Sequence, residues 1–253
     1  MGDIFAKGVD NWQKKLGTVR DVVRQELVSR QIVEHLGPPA RSIRILDVGS
    51  GQGTQANHLA DLGYTVVGVD PSSKLLDMAR EAARKANNSA RFVKGTLEAM
   101  PAEAGRDFDL VCCHGVLMYL PELVPAIKQL VALARPGGLI SVLTRNQPGV
   151  AMRAGMFKDW KGALEGFDVH TYKNRLVADD LRADTPAEII EAFRQCHAEL
   201  IDWYGVRLFT DHWDDLPVPD DIELLVEAEY QAAQRDPYRQ LAALVHVIAK
   251  RRD

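Results

Sequence analysis

Residues 43–70, reading IRILDVGSGQGTQANHLADLGYTVVGVD, restrict the possible folds of this 253-residue chain more than any other stretch. A short apolar run (Ile43, Ile45, Leu46, Val48) passes through Asp47 into Gly49, Gly51 and Gly53. About twenty residues on, a second apolar run (Val66, Val67, Val69) stops at Asp70. The pattern predicts a strand, a glycine turn, a helix over 54–62 and a second strand ending in an acid, the first half of a nucleotide-binding βαβ unit. Glycines at alternate positions allow a sharp turn and leave no Cβ between backbone and ligand. The helix then presents its unpaired N–H groups at the same point. Asp70 can accept both hydroxyls of a ribose; its plainer reading is a turn or helix-capping aspartate before Pro71.

Two cofactors compete for such a unit. Gly51, Gly53 and Ala56 satisfy the dinucleotide pattern G-x-G-x-x-A. D-x-G-x-G-x-G counted from Asp47 fits better, because it places a carboxylate where a dinucleotide enzyme keeps an apolar residue. That acid suits a ligand with a cationic amino-acid end and no pyrophosphate. The pattern resembles motif I of the class I S-adenosylmethionine (SAM) methyltransferases. The resemblance implies SAM as cofactor and S-adenosylhomocysteine as product.

The remainder alternates strand and helix. Expected elements are a helix over 18–36 ended by Gly37-Pro38-Pro39, a helix opened by Pro71-Ser72-Ser73 and closed at 87–89, and a strand over 90–94. An almost wholly apolar strand over 108–114, a helix over 123–134, a turn at 135–138 and a strand over 139–143 follow. Residues 146–184 carry aromatics and mixed charge without periodicity and are expected to form an insertion or lid. A helix from Pro186 to about 196, a strand over 199–206, a helix over about 220–234 and a last strand over 244–250 complete the chain. The expected fold is α/β: a doubly wound, mostly parallel seven-stranded sheet of the class I methyltransferase, Rossmann-like type. A single domain is expected over 1–253, divided into an N-terminal cap (1–40), a cofactor half (41–145), the insertion (146–185) and a C-terminal half (186–253).

Hydrophobic residues make up 46% and charged residues 26%, enough for a full core. A net charge of −4 gives no global attraction to nucleic acid. Three cysteines, two of them adjacent (Cys112, Cys113), make neither a C-x-x-C nor a disulfide framework, so all are read as buried thiols. No Cys/His cluster has metal-ligand spacing, and no metal is expected. The first thirty residues lack a basic-then-apolar signal, and no apolar run approaches a membrane span; the cytoplasm is the expected compartment.

Longer segments narrow the resemblance. GTVRDVVRQELVSRQ near the start, HGVLMYL after the fourth strand, LTRNQPG after the fifth, and YGVRLFTDHW with ELLVEAEYQAAQRDPYRQLAALVHVIAK near the end resemble the bacterial tRNA methyltransferases that esterify 5-carboxymethoxyuridine at the wobble position. The likeness implies that Arg24, Gly51, Asp70, Leu97, Glu98 and His114 contact SAM, alongside Asp47, Gly49 and Gly53 from the loop pattern. A guanidinium at Arg24 suits the methionine carboxylate through parallel hydrogen bonds; for Arg20, Arg24 and Arg30 alike the plainer reading is solvated surface charge. Gly95-Thr96-Leu97-Glu98-Ala99-Met100-Pro101 keeps the frame of the adenine-binding loop of many class I enzymes but loses its outer acids.

Methyl transfer to a carboxylate requires no base, since the nucleophile is ionised at neutral pH. His114, Asn146 and Tyr119 are candidates for touching the reacting groups. Arg145, Tyr172, Lys173, Arg175, Tyr204 and Arg207 are candidates for holding an acidic acceptor or stacking on a base; lid surface and core packing are their plainer roles. Where the family carries a dense lysine run, this chain has only Tyr172-Lys173-Asn174-Arg175. The acceptor readings are therefore a tRNA anticodon or a small polar metabolite methylated on oxygen or nitrogen. An NADP-dependent oxidoreductase and a catalytically silent SAM-binding protein are more distant alternatives, and monomer or homodimer stays open.

Overall fold

The computed structural model describes residues 17–40, 42–173, 180–213 and 216–253. Four apolar runs become the strands β1 (Arg44–Val48), β2 (Thr65–Asp70), β3 (Arg91–Lys94) and β4 (Phe108–His114). All but the first residue of β1 and of β2 are buried, as are five of the seven in β4, which is what a parallel strand covered on both faces requires. With β5 (Ala134–Arg145), β8 (Ala198–Val206) and β9 (Leu244–Arg251) they form a seven-stranded sheet in the order β3-β2-β1-β4-β5-β9-β8. The β1/β2, β2/β3, β1/β4 and β4/β5 pairs are parallel. Strand order therefore reverses direction between β1 and β4. In open α/β sheets the crevice outside the carboxyl ends at such a point is where ligands bind.

The helix α1 (Val19–Leu36) buries Val19, Val23, Leu27, Val28 and Ile32 almost completely, one stripe at helical spacing. It stops where Gly37 adopts a left-handed φ of 84°, the conformation that ends many helices. Between β1 and β2 lies α2 (Thr54–Asp61); between β2 and β3 lies α3 (Ser73–Ala86), capped by the Ser72 hydroxyl, which accepts from Leu75 N at 3.4 Å. Helix α4 (Leu123–Leu133) leads into β5.

Two expectations need correction. The fifth strand is longer than 139–143. The turn 135–138 is absorbed into it as an irregularity, the register passing from Phe108 opposite Ala134 to Leu110 opposite Leu139. Gly137, at φ 73°, provides the backbone freedom for that bulge. The insertion is likewise regular: α5 (Pro148–Met156), α6 (Trp160–Gly166) and an antiparallel pair, β6 (Thr171–Lys173) and β7 (Asp180–Arg182). Elements of three to nine residues are too short to show a period in sequence. Helix α7 (Pro186–Gln195) follows, then α8 (Ile222–Ala233) and the short α9 (Tyr238–Leu241).

By contact the chain divides into two compact units. One comprises Ile32–Leu143, Ile190–Asp202 and Ile248–Asp253 and has a core of Ile45, Leu46, Leu59, Leu76, Phe108, Leu110 and Ile127, all under 2% exposed. The other comprises the chain up to Gln31 with Thr144–Ile189 and Trp203–Val247, and buries Val19, Val23, Leu27, Ile189, Val206, Val245 and Val247. No helix among the described residues is long and apolar enough to cross a membrane.

Candidate active site

In the unit containing β1–β4, Gly49, Gly51 and Gly53 all take left-handed φ values, 74°, 55° and 79°. A Cβ on Gly49 would overlap Val116, and one on Gly53 would stand 2.8 Å from both Ala79 and Phe92. At these two positions the loop has no room for a larger residue. Asp70, 7% exposed, ties the loop to the end of β2: Oδ2 accepts the Gly51 N–H at 2.9 Å and Oδ1 accepts the Ser72 N–H at 2.8 Å. The Asp70 carboxylate thus fixes both the glycine loop and the start of α3 at the end of β2. The Gly49 and Ser50 amides both donate to the Val69 carbonyl, at 2.7 and 3.1 Å. The Ser50 hydroxyl is buried without a hydrogen-bond partner in this loop.

Asp47 is 3% exposed on β1, in register with Gly68 on one side and Cys112 on the other. Burial, and then the Asp47 carboxylate, push the Cys112 and Cys113 thiols up, so both are protonated and unreactive at neutral pH. Both, like Cys196, are buried free thiols. His114 ends β4 half-buried, its Nε2 2.8 Å from the hydroxyl of the fully buried Ser141 on β5. Leu97 is buried and Glu98 exposed in the loop after β3, and Thr96 Oγ1 accepts the Ala99 N–H at 3.1 Å. Tyr119 is half-buried on a single 3-10 turn, Leu117–Tyr119.

The other unit gathers arginines that sequence spacing scatters. Asp211, 4% exposed, meets Arg207 at 2.9 Å and Arg20 at 3.4 Å through Oδ1, and Arg153 at 2.7 Å and Arg145 at 3.6 Å through Oδ2. Burial alone would raise this carboxyl; Arg207, Arg145, Arg153 and Arg20 together hold it well below the usual carboxylate range. The loop bearing Arg207 and Asp211 is shaped by Glu229 of α8. Its buried carboxylate accepts the N–H groups of Leu208, Phe209 and Thr210 at 2.8, 3.0 and 2.9 Å and the Thr210 hydroxyl at 2.7 Å. The Arg145 guanidinium also lies 5.2 Å from the Tyr172 ring centroid.

Of the acceptor candidates, Arg145, Tyr172 and Arg207 come together here. Lys173 follows Tyr172 on β6, and Arg175 lies outside the described residues. Tyr204 is buried on β8 with its ring 5.9 Å from that of His246. Asn146 is fully buried, its amide nitrogen donating to the carbonyls of Gln240 and Ala242 at 2.9 and 2.8 Å, which ties β5 to the segment before β9. Arg24 bonds Asp21 at 2.9 Å, one turn back on α1. Spacing missed Arg20, Arg153 and Asp211. The available signal was Arg207 and Asp211, four residues apart inside YGVRLFTDHW, one of the segments that carry the resemblance.

An open parallel sheet with a glycine loop at its switch point and an acid ending the second strand defines a Rossmann-like enzyme that binds a nucleoside. Residues 46–142 match a family model described as a methyltransferase domain. The chain is 36% identical over 200 residues to a ubiquinone biosynthesis O-methyltransferase of Methylocella silvestris, covering 76% of this chain and 75% of that protein. It is 25% identical over 241 residues to the tRNA 5-carboxymethoxyuridine methyltransferase of Escherichia coli K12, covering 93% and 90%. A magnesium protoporphyrin IX methyltransferase of Synechocystis PCC 6803 with bound SAH shares the fold at a TM-score of 0.66 and 17% identity, over 98% of this chain and 97% of that one. The chain belongs to the class I SAM-dependent methyltransferases. Its residues fit that cofactor: an acid at the end of β2 bonded to the loop, glycines at 49 and 53 where a Cβ has no space, and an orphaned buried hydroxyl at Ser50.

Proposed function

We propose that this methyltransferase acts in the cytoplasm on an oxygen of an acidic acceptor, the carboxylate of 5-carboxymethoxyuridine in tRNA being the leading candidate. The observation that carries this reading is similarity to the E. coli tRNA enzyme over nearly the full length of both chains. It takes in the segments beyond the methyltransferase-domain match as well as the cofactor half. The M. silvestris relative, by name an O-methyltransferase, supports oxygen as the receiving atom. When bound, the cofactor supplies an electrophilic methyl on a sulfonium. Asp70 and the glycine loop hold its adenosine and methionine ends, with Asp47, Leu97, Glu98 and His114 as further contacts. Arg24 holds the methionine carboxylate. A carboxylate acceptor is ionised at neutral pH, so the chain's task is to position it and exclude water rather than to remove a proton.

A small polar metabolite is the second reading. It is favoured by the net charge of −4 and by a single Tyr172-Lys173-Asn174-Arg175 where the tRNA family concentrates lysines. Methyl-labelled SAM incubated with bulk tRNA from a strain lacking the enzyme separates the two. The tRNA reading expects label in a wobble uridine as an alkali-labile ester, in a reaction weakening steeply with salt. Label confined to small molecules contradicts it.

A further inference from the structure

Arg145 presents five N–H donors and is 6% exposed, yet its nearest acceptors are long: Asp211 Oδ2 at 3.6 Å and the Gly149 carbonyl at 3.5 Å. Its Nε is buried without a partner, and so is the Nε of Arg207. A third orphan sits beside them in sequence. The Trp213 indole N–H donates to His212 Nε2 at 3.1 Å. Since an indole nitrogen only donates, Nε2 carries the lone pair and the proton is on Nδ1. That Nδ1 is also buried with no partner. Arginines on the Asp211 carboxylate thus keep unmatched buried Nε–H groups, and His212, next to Asp211 in sequence, an unmatched ring nitrogen, although a buried unmatched donor costs about 1–3 kcal/mol. Arg207 is held, moreover, at a left-handed φ of 61°, which costs a side-chain-bearing residue roughly 1–2 kcal/mol. Glu229 fixes the loop in that shape through four hydrogen bonds. Backbone strain, orphaned donors and a shared carboxylate in one cluster mark a place prepared for an acceptor group that a ligand brings.

We propose that Arg145, Arg207 and His212 form a binding site for a compact oxyanion, a carboxylate or phosphate group, which on the reading given above belongs to the methyl acceptor. The guanidinium forks match such a group with parallel hydrogen bonds, and the unmatched His212 Nδ1 adds a further donor. The Tyr172 ring beside Arg145 offers a flat apolar surface for whatever carries the charge. Asp211 then has a defined part: it holds the guanidiniums apart and preorganised, and shares them with the ligand. Burial pulls Arg207 down to about 10; Asp211 opposes the shift, and neighbouring Arg20, Arg145 and Arg24 add to it.

The test uses the full chain at ionic strength fixed with sodium chloride, titrated with sodium phosphate and separately with sodium acetate, reading the thermal midpoint. A saturable rise with at least one oxyanion is expected, reduced at least severalfold in Arg145→Gln and in Arg207→Asn; asparagine tolerates the left-handed backbone. No rise over chloride, or a rise undiminished in both variants, overturns the site. Should neither variant melt cooperatively, Arg145→Lys decides, because an ammonium keeps the charge beside Asp211 but not the guanidinium fork; a rise undiminished by that change overturns the proposal. Calorimetry with S-adenosylhomocysteine identifies the source of the oxyanion. Phosphate that leaves its affinity unchanged supports the acceptor, whereas competition assigns the site to the cofactor's own carboxylate and overturns the acceptor assignment. Absence of any S-adenosylhomocysteine binding would defeat the methyltransferase reading and leave the anion titration to stand by itself.

Discussion

Asp211 shows how one residue can be legible in sequence as a letter and illegible as a role. In sequence it is one acid among 35; in the fold it is the partner of four arginines drawn from α1, β5, α5 and the loop after β8. No spacing rule joins positions 20, 145, 153 and 211, because the chain path that brings them together is tertiary. Its protonation has a definite consequence. A carboxyl held below its unfolded value of about 3.9 contributes stability that is complete above that pH and lost as pH falls through the folded value. Urea midpoints should therefore drop as pH is taken from 5 towards 2, and drop less in Asp211→Asn. Equal acid slopes in the two proteins would refute the assignment. Glu229 works in the opposite sense: burial raises its carboxyl, so its share is greatest below the ordinary glutamate range and declines as pH rises. At neutral pH, Asp211→Asn should cost roughly 3–5 kcal/mol, the range for breaking a buried ion pair. Arg24 is a different case, since only the family resemblance singles it out among the arginines of α1. For Arg24→Ala we expect about tenfold weaker S-adenosylhomocysteine binding with an unchanged circular dichroism spectrum, and unaltered affinity would remove it from the site.

Among elements, legibility followed length and burial. Strands β1, β2 and β4 were readable because continuous apolar runs bounded by glycine or charge leave a parallel strand few alternatives. Helices α1 and α3 were readable from an apolar stripe and from a stop, Gly37 in one and the Asn87 turn, at φ 53°, in the other. The insertion was not, since α5, α6, β6 and β7 are each too short to repeat a period. The start of α7 was read from Pro186 alone, yet its lock is a capping box. Thr185 Oγ1 accepts the Glu188 N–H at 3.2 Å, and Glu188 returns a carboxylate oxygen to the Thr185 N–H at 2.8 Å. Thr185→Ala should lower stability by about 1 kcal/mol, read as a shift in the urea midpoint at constant m-value. No shift would mean that α7 is held by packing instead.

At the scale of the whole molecule, the glycine loop and Asp70 belong to one compact unit and the Asp211 cluster to the other. The first was visible in sequence because its chemistry is local: residues 47–70 are consecutive, and the backbone itself makes the site. The second depended on residues more than a hundred positions apart. The account stands on Asp70 accepting ribose hydroxyls in a cradle formed by Gly49, Gly51 and Gly53. Asp70→Asn removes the charge but keeps one acceptor oxygen, so the loop can still close on it. Hydrogen bonds to a charged acceptor are worth about 1.5–3 kcal/mol, equivalent to roughly a ten- to hundredfold change in affinity. Isothermal titration of the parent and of Asp70→Asn with S-adenosylhomocysteine should give saturable one-to-one binding in the first and affinity weaker by at least tenfold in the second. Equal affinities, or no heat from the parent protein, would contradict the account.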